Sequence, residues 1–96
     1  MEREKVLNLL RSSLPRLRDL GVGSLAVFGS TARDELGDES DVDILIDFEG
    51  TATFDGYMEA KFLLEEVLGR PVDLVTPQAL KPRMRPSVER EAIYVT

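Results

Sequence analysis

Val6, Leu7, Leu10, Leu14, Leu17 and Leu20 fall mostly three or four residues apart, the spacing that lines one side of an α-helix. They predict an amphipathic helix from Glu2 to Asp19, ending near Gly21. Pro15 lies inside it and has no N–H to give, so a kink or break is expected there. Ser24 to Phe28 is a short apolar run stopped by Gly29 and reads as a strand. Ser30 then reads as the N-cap of a short helix from Thr31 to about Leu36, closed by Gly37. Asp41 to Phe48 alternates, with Leu45 the apolar member of its acidic side. Val42, Ile44, Ile46 and Phe48 fall on one side of a strand, and Asp41, Asp43, Leu45 and Asp47 on the other.

A second long helix is predicted from Phe54 to Leu68, with Tyr57, Ala60, Lys61, Leu64 and Leu68 marking one stripe and Gly69 at its end. Pro71 to Thr76 reads as a third strand, with Val72 and Leu74 opposite Asp73 and Val75. Thr76-Pro77 is a cap followed by proline at a first helical position. Pro82 and Pro86 fragment the C-terminal stretch, leaving a short helix over Ser87 to Ala92 and a terminal strand at Ile93 to Val95. The order α-β-α-β-α-β-α implies one α/β (α+β) domain over residues 1–96, with a small sheet of three or four strands flanked by helices.

Composition narrows the chemistry sharply. The chain of 96 residues has no cysteine and no histidine, which removes disulfides, thiolate zinc sites, imidazole ligands and histidine-based acid–base catalysis. A metal here is held by oxygen, which favours a hard cation such as Mg²⁺ or Mn²⁺. No apolar run is long enough to cross a bilayer, the start MEREK has no signal-peptide pattern, and the chain is read as cytoplasmic. A net charge of −6 argues against tight unassisted binding to nucleic acid. The charge is uneven: positions 34 to 49 hold eight carboxylates and no Lys or Arg, while Lys81, Arg83, Arg85 and Arg90 lean the other way.

Three features invite a joint explanation: Gly29-Ser30 at a strand-to-helix turn, Asp41-Val42-Asp43 on the next strand, and Asp73 alone in an apolar strand. Residues two apart on a strand project from the same face, so Asp41 and Asp43 repel. At about 4 Å and an effective dielectric near 20 the repulsion is on the order of 4 kcal/mol. A divalent cation between carboxylates reverses the sign of that interaction. Two or three carboxylates plus substrate phosphates is how Mg²⁺ is usually held, and a pair of such ions clamps an in-line phosphoryl displacement. Gly29 lets a phosphate approach the backbone, the N–H groups at the start of the short helix face outward with its dipole, and the Ser30 hydroxyl adds a donor. Together these make a nucleoside-triphosphate site. Singly, each part has an ordinary account. Gly29-Ser30 is a generic strand end, Asp41 and Asp43 an exposed strand face, and Asp73 the outward residue of an edge strand. Arg33 serves equally as a triphosphate contact or as half of a surface ion pair. Asp47 continues the solvated face, and Asp34, Glu35, Asp38 and Glu39 read as solubilising loop residues.

Gly29-Ser30, ten residues, then Asp41-x-Asp43 resembles the signature of the DNA polymerase β-like nucleotidyltransferase superfamily. The text FGSTAR…SDVDILIDF, and VDLVTPQAL…EREAIYV after it, resembles the stand-alone minimal nucleotidyltransferase (MNT) domains of prokaryotes over almost the whole chain. The resemblance implies a polymerase β-like palm, with Asp41 and Asp43 as the metal-binding pair, Asp73 as the third catalytic and metal-binding carboxylate, and Gly29 and Ser30 gripping the triphosphate. Members often carry glycine after the arginine of this segment, whereas Asp34 follows Arg33 here. That leaves the place of Arg33 in nucleotide binding open. The resemblance further implies Mg²⁺, ATP as substrate, and a HEPN-domain RNase toxin as partner, neutralised by AMPylation of a tyrosine. Two alternatives stand beside it: a non-enzymatic antitoxin acting by complex formation, and a subunit that nucleotidylates a small cationic molecule such as an aminoglycoside. The oligomeric state is open.

Overall fold

The computed structural model describes residues 1–37 and 40–96; Asp38 and Glu39, read as solubilising, lie outside the described residues. Helix α1 (Arg3–Asp19) buries Val6, Leu7, Leu10, Ser13 and Leu17, and Ser13 is satisfied by donating its hydroxyl to the Leu9 carbonyl at 3.0 Å. The expected break at Pro15 does not occur. Pro15 sits inside α1 on its exposed side, where water can serve the carbonyl that loses its partner.

Strand β1 (Val22–Val27) leads into α2 (Gly29–Ala32), then β2 (Val42–Phe48), α3 (Phe54–Leu68) and β3 (Val72–Val75). A 3₁₀ turn (Pro77–Ala79), α4 (Arg85–Glu91) and a two-residue strand β4 (Ile93–Tyr94) complete the chain. Helix α3 starts on a Thr53 cap that accepts from the Gly56 N–H, and ends at Gly69 with φ 66°. It buries Leu63 as well as the Ala60, Leu64 and Leu68 expected from the stripe. Helix α2 corrects the sequence reading. It has four residues, its N-cap is Phe28 rather than Ser30, and it stops before Arg33 rather than running to Leu36.

The four strands form one mixed sheet in the order β3-β2-β1-β4. Strand β1 is antiparallel to β2 and β4, and β2 is parallel to β3, joined through α3 as a βαβ crossover. Alternation sorts the side chains onto two faces. Leu25, Val27, Val42, Ile44, Ile46, Val72 and Leu74 enter the main core with α1 and α3. Ala26, Phe28 and Leu45 face the other way, under Leu80 and Val88. That second cover is thin: it reaches Leu45 and leaves the neighbouring acidic positions open.

Candidate active site

Asp43 and Asp73 face each other. They are partners in the parallel register of β2 and β3, so adjacent-strand spacing of about 4.8 Å sets one carboxylate beside the other on the thinly covered face. Asp43 is half-buried and Asp73 exposed. Asp41 precedes β2 by one residue and is exposed. The Asp43 carboxyl is pushed above its ordinary value, first by burial, then by the charges of Asp73 and Asp41, with Arg33 opposing and Glu91 adding to the rise. All three aspartates expected from the sequence therefore act on one locus. Asp47, the third aspartate of the stretch to share this alternation, is exposed and pairs with Ser24 towards the far end of the strand.

The turn after β1 is fitted against Asp43. Gly29 has φ 61°, and a Cβ placed on it would overlap the Asp43 carboxylate, with Asp43 Cγ only 3.2 Å away. A side chain is excluded there both by backbone conformation and by space. The Phe28 N–H donates to the Asp43 carbonyl at 3.1 Å. The Asp43 N–H points at the Oγ1 of Thr31 at 3.4 Å, and Thr31 is 1% exposed. These contacts lock the turn to the strand that carries the acid. Ser30 is half-buried in the first turn of α2. Four residues carry little macrodipole, so what the turn offers an anion is individual N–H and O–H donors.

Arg33 is exposed and ion-paired. Its Nε lies 3.1 Å from Glu35 Oε2, and its Nη1 lies 3.1 Å from Glu91 Oε2. Asp34 turns away from the site: at φ 59°, its Oδ1 accepts from the Arg3 N–H at 2.9 Å, at the first residue of α1. The left-handed conformation is one that glycine adopts most easily, and the aspartate's hydrogen bond draws its charge to the start of α1 rather than to the Gly29–Ser30 turn. Glu91 was not singled out from the sequence. It comes from 62 residues along the chain to accept the Gly29 N–H at 2.6 Å. No spacing rule signals a contact of that range; its only mark was a carboxylate just before a short apolar run.

The donor set fits a hard divalent cation. It is all oxygen, it places two carboxylates side by side, and Asp43, raised first by burial, also feels the charges of Asp73 and Asp41, a repulsion that a cation would reverse. Among the described residues, no three acidic side chains are placed to hold a metal ion on their own, so phosphate oxygens would have to complete the coordination, as is usual for Mg²⁺.

The nucleotidyltransferase domain model matches residues 7–95, nearly the whole chain. The chain belongs to the nucleotidyltransferase domain family. Within this family it is 40% identical over 93 residues to the protein adenylyltransferase MntA of Thermococcus cleftensis, covering 96% of this chain and 94% of that one. A solved structure assigned as a minimal nucleotidyltransferase is 39% identical and superposes with a TM-score of 0.84, covering 97% of this chain and 95% of the other. The fold is thus that of a minimal nucleotidyltransferase, as the resemblance implied, and the enzyme class is nucleotidyl transfer. The same fold recurs at 20% identity in the complex of a tri-AMPylated HEPN toxin of Shewanella oneidensis with its MNT antitoxin, with a TM-score of 0.66, covering 94% of this chain and 71% of that one. It recurs again at 21% identity in a toxin–antitoxin structure with AMP-PNP, with a TM-score of 0.72, covering 90% of this chain and 72% of that one. Among the described residues, no helix is long and apolar enough to cross a membrane.

Proposed function

We propose that this nucleotidyltransferase moves AMP from ATP to a hydroxyl, a tyrosine, on a HEPN-type toxin and so acts as its antitoxin. The observation that carries the reading is the Asp43–Asp73 pair set against the Gly29 turn: two facing carboxylates beside backbone donors, on an open face of the sheet. Support for the acceptor and partner comes from the name of the Thermococcus relative and from the toxin–antitoxin complexes that share the fold.

In this mechanism the Gly29 N–H and the Ser30 hydroxyl hold phosphate oxygens, and Arg33 offsets the charge of the departing pyrophosphate. Asp41, Asp43 and Asp73 would hold Mg²⁺, or Mn²⁺ in its place, together with phosphate oxygens, and the ion would neutralise charge on the phosphates and lower the barrier to attack. Asp73 orients the acceptor hydroxyl and takes its proton on a carboxylate oxygen. The acceptor oxygen bonds to the α-phosphorus as the bond from that phosphorus to the β-bridging oxygen breaks, and pyrophosphate leaves with the electron pair. The acceptor arrives on another molecule, docking at the acidic face, to which a basic RNA-binding surface is steered.

The test is incubation of the chain with its cognate partner, Mg²⁺ and α-labelled ATP, with label transfer and partner mass read out. Label should pass to the partner as AMP. Asp41→Asn and Asp43→Asn should each lower transfer by at least about a hundredfold, and Asp73→Asn should lower kcat by about 10²–10⁴, the range for losing a positioned base. A partner neutralised equally well without ATP, or by the Asp41→Asn/Asp43→Asn variant, would leave complex formation as the antitoxin mechanism.

A further inference from the structure

Glu91 occupies the donors that the nucleotidyltransferase reading allots to phosphate. Its Oε1 accepts from the Gly29 N–H at 2.6 Å and from Arg33 Nη1 at 3.3 Å, and its Oε2 accepts from Arg33 Nη1 at 3.1 Å. A backbone N–H has a single hydrogen, so Gly29 cannot fully serve a carboxylate and a phosphate together. Co-occupancy is also opposed electrostatically. Glu91 would bring a further negative charge against a polyanion, beside Asp43, which already feels Asp73 and Asp41.

The carboxylate also has somewhere to go. Glu91 is the last residue of α4, just before the two-residue β4. It borders a groove of about 510 Å³ between α2 and α4 that is lined also by Arg33, Arg83, Met84 and Ser87. A change of side-chain rotamer would be enough to carry it away from Gly29, since it lies outside the paired strands, and Arg83 lines the same groove as a second cation.

We propose that Glu91 is a positioning residue of the triphosphate site, holding the Gly29 N–H and the Arg33 guanidinium before nucleotide arrives and surrendering both to the incoming phosphates. The inference rests on the reading of the Gly29–Ser30 turn as the phosphate grip. It accounts for a carboxylate that the transfer chemistry leaves unused, and for Arg33 being paired yet adjacent to the site. The exchange trades one anion for another on the same donors. The turn thus stays ordered throughout, and the affinity for nucleotide is set by how firmly Glu91 sits.

Titration calorimetry with Mg²⁺–ATP, and with Mg²⁺–pyrophosphate to isolate the phosphate grip, tests this on the wild type, Glu91→Gln and Ser30→Ala. Glutamine keeps the size of the side chain and can still accept from Gly29, but it loses the charge that holds Arg33. Glu91→Gln should bind both probes tighter, by roughly tenfold if the wild-type site is free about one-tenth of the time. A residue that merely supports the fold would lower the melting temperature on substitution and leave affinity unchanged or weaker. If Ser30→Ala weakens binding while Glu91→Gln fails to tighten it, Glu91 does not compete with phosphate, and the grip itself stands. If neither variant changes the affinity, the phosphate-grip reading falls and the proposal with it.

Discussion

Asp43 is where the competing demands on single residues meet. Its carboxylate forbids a side chain at Gly29, its backbone N–H and carbonyl anchor the turn, and its charge is disfavoured by burial and by Asp73 and Asp41. A carboxyl whose folded-state pKa lies above its ordinary value of 3.8 binds more protons in the folded than in the unfolded state between the two values. Its contribution to stability is therefore full below about pH 3.8 and is lost as pH rises through the folded-state value. In EDTA at neutral pH, Asp43→Asn should be more stable than the wild type, by less than about 1 kcal/mol once solvent screening of a half-exposed group is allowed for. The advantage should shrink as the pH is lowered towards 4, and urea titrations across that range would read it. A variant less stable than the wild type at pH 7 would show that the carboxylate supports the fold rather than straining it. The acidic pair and the glycine were legible because strand alternation and a bare strand end are local signals. That Asp73 faces Asp43 follows from register, and the Glu91 contact with Gly29 from tertiary packing; neither lies in any one segment.

At the scale of elements, periodicity located the long helices and the strands, because each buries one face and its apolar positions repeat at the element's own period. It failed at α2. Four residues are barely one turn, and the stop is set by Asp34 in the left-handed region rather than by Gly37. The same aspartate serves α1, because its Oδ1 receives the first N–H of that helix and its charge sits favourably at the positive end. Arg3 Nη1 adds a bond to the Ala32 carbonyl at 2.9 Å, so the two helices are tied at both partners. Asp34→Ala loses the hydrogen bond, about 0.5–1.5 kcal/mol, and puts a Cβ with no compensating polar group at positive φ, about 1–2 kcal/mol. A total loss near 2 kcal/mol should lower the urea midpoint by roughly 1 M. Asp34→Gly relieves the backbone while losing the same bond, and should fall between alanine and wild type. Equal midpoints for alanine and glycine would remove backbone conformation from the account.

For the whole molecule, size and charge act together. A domain of 96 residues with net charge −6 has a modest core, burying roughly 60–65% of the surface its unfolded chain exposes. Its total stability is therefore on the order of 5–10 kcal/mol. Against that total, the repulsion among Asp41, Asp43 and Asp73 is a cost that a bound cation would reverse, so on the proposed reading ligand binding should be visible as global stability. At a hundred times its dissociation constant a ligand adds about 2.7 kcal/mol, which in a domain of this length corresponds to a rise in Tm of roughly 10–20 °C. Mg²⁺–ATP should approach that figure in a thermal melt, Mg²⁺ alone should give a smaller rise, and ATP in EDTA should give little, since triphosphate and carboxylates then repel without an intermediary. Asp43→Asn should lose most of the Mg²⁺-dependent part while keeping its higher metal-free stability. Stabilisation by ATP in EDTA equal to that by Mg²⁺–ATP would mean that the carboxylates do not hold the cation. The open acidic face of the sheet would then need an explanation other than metal binding.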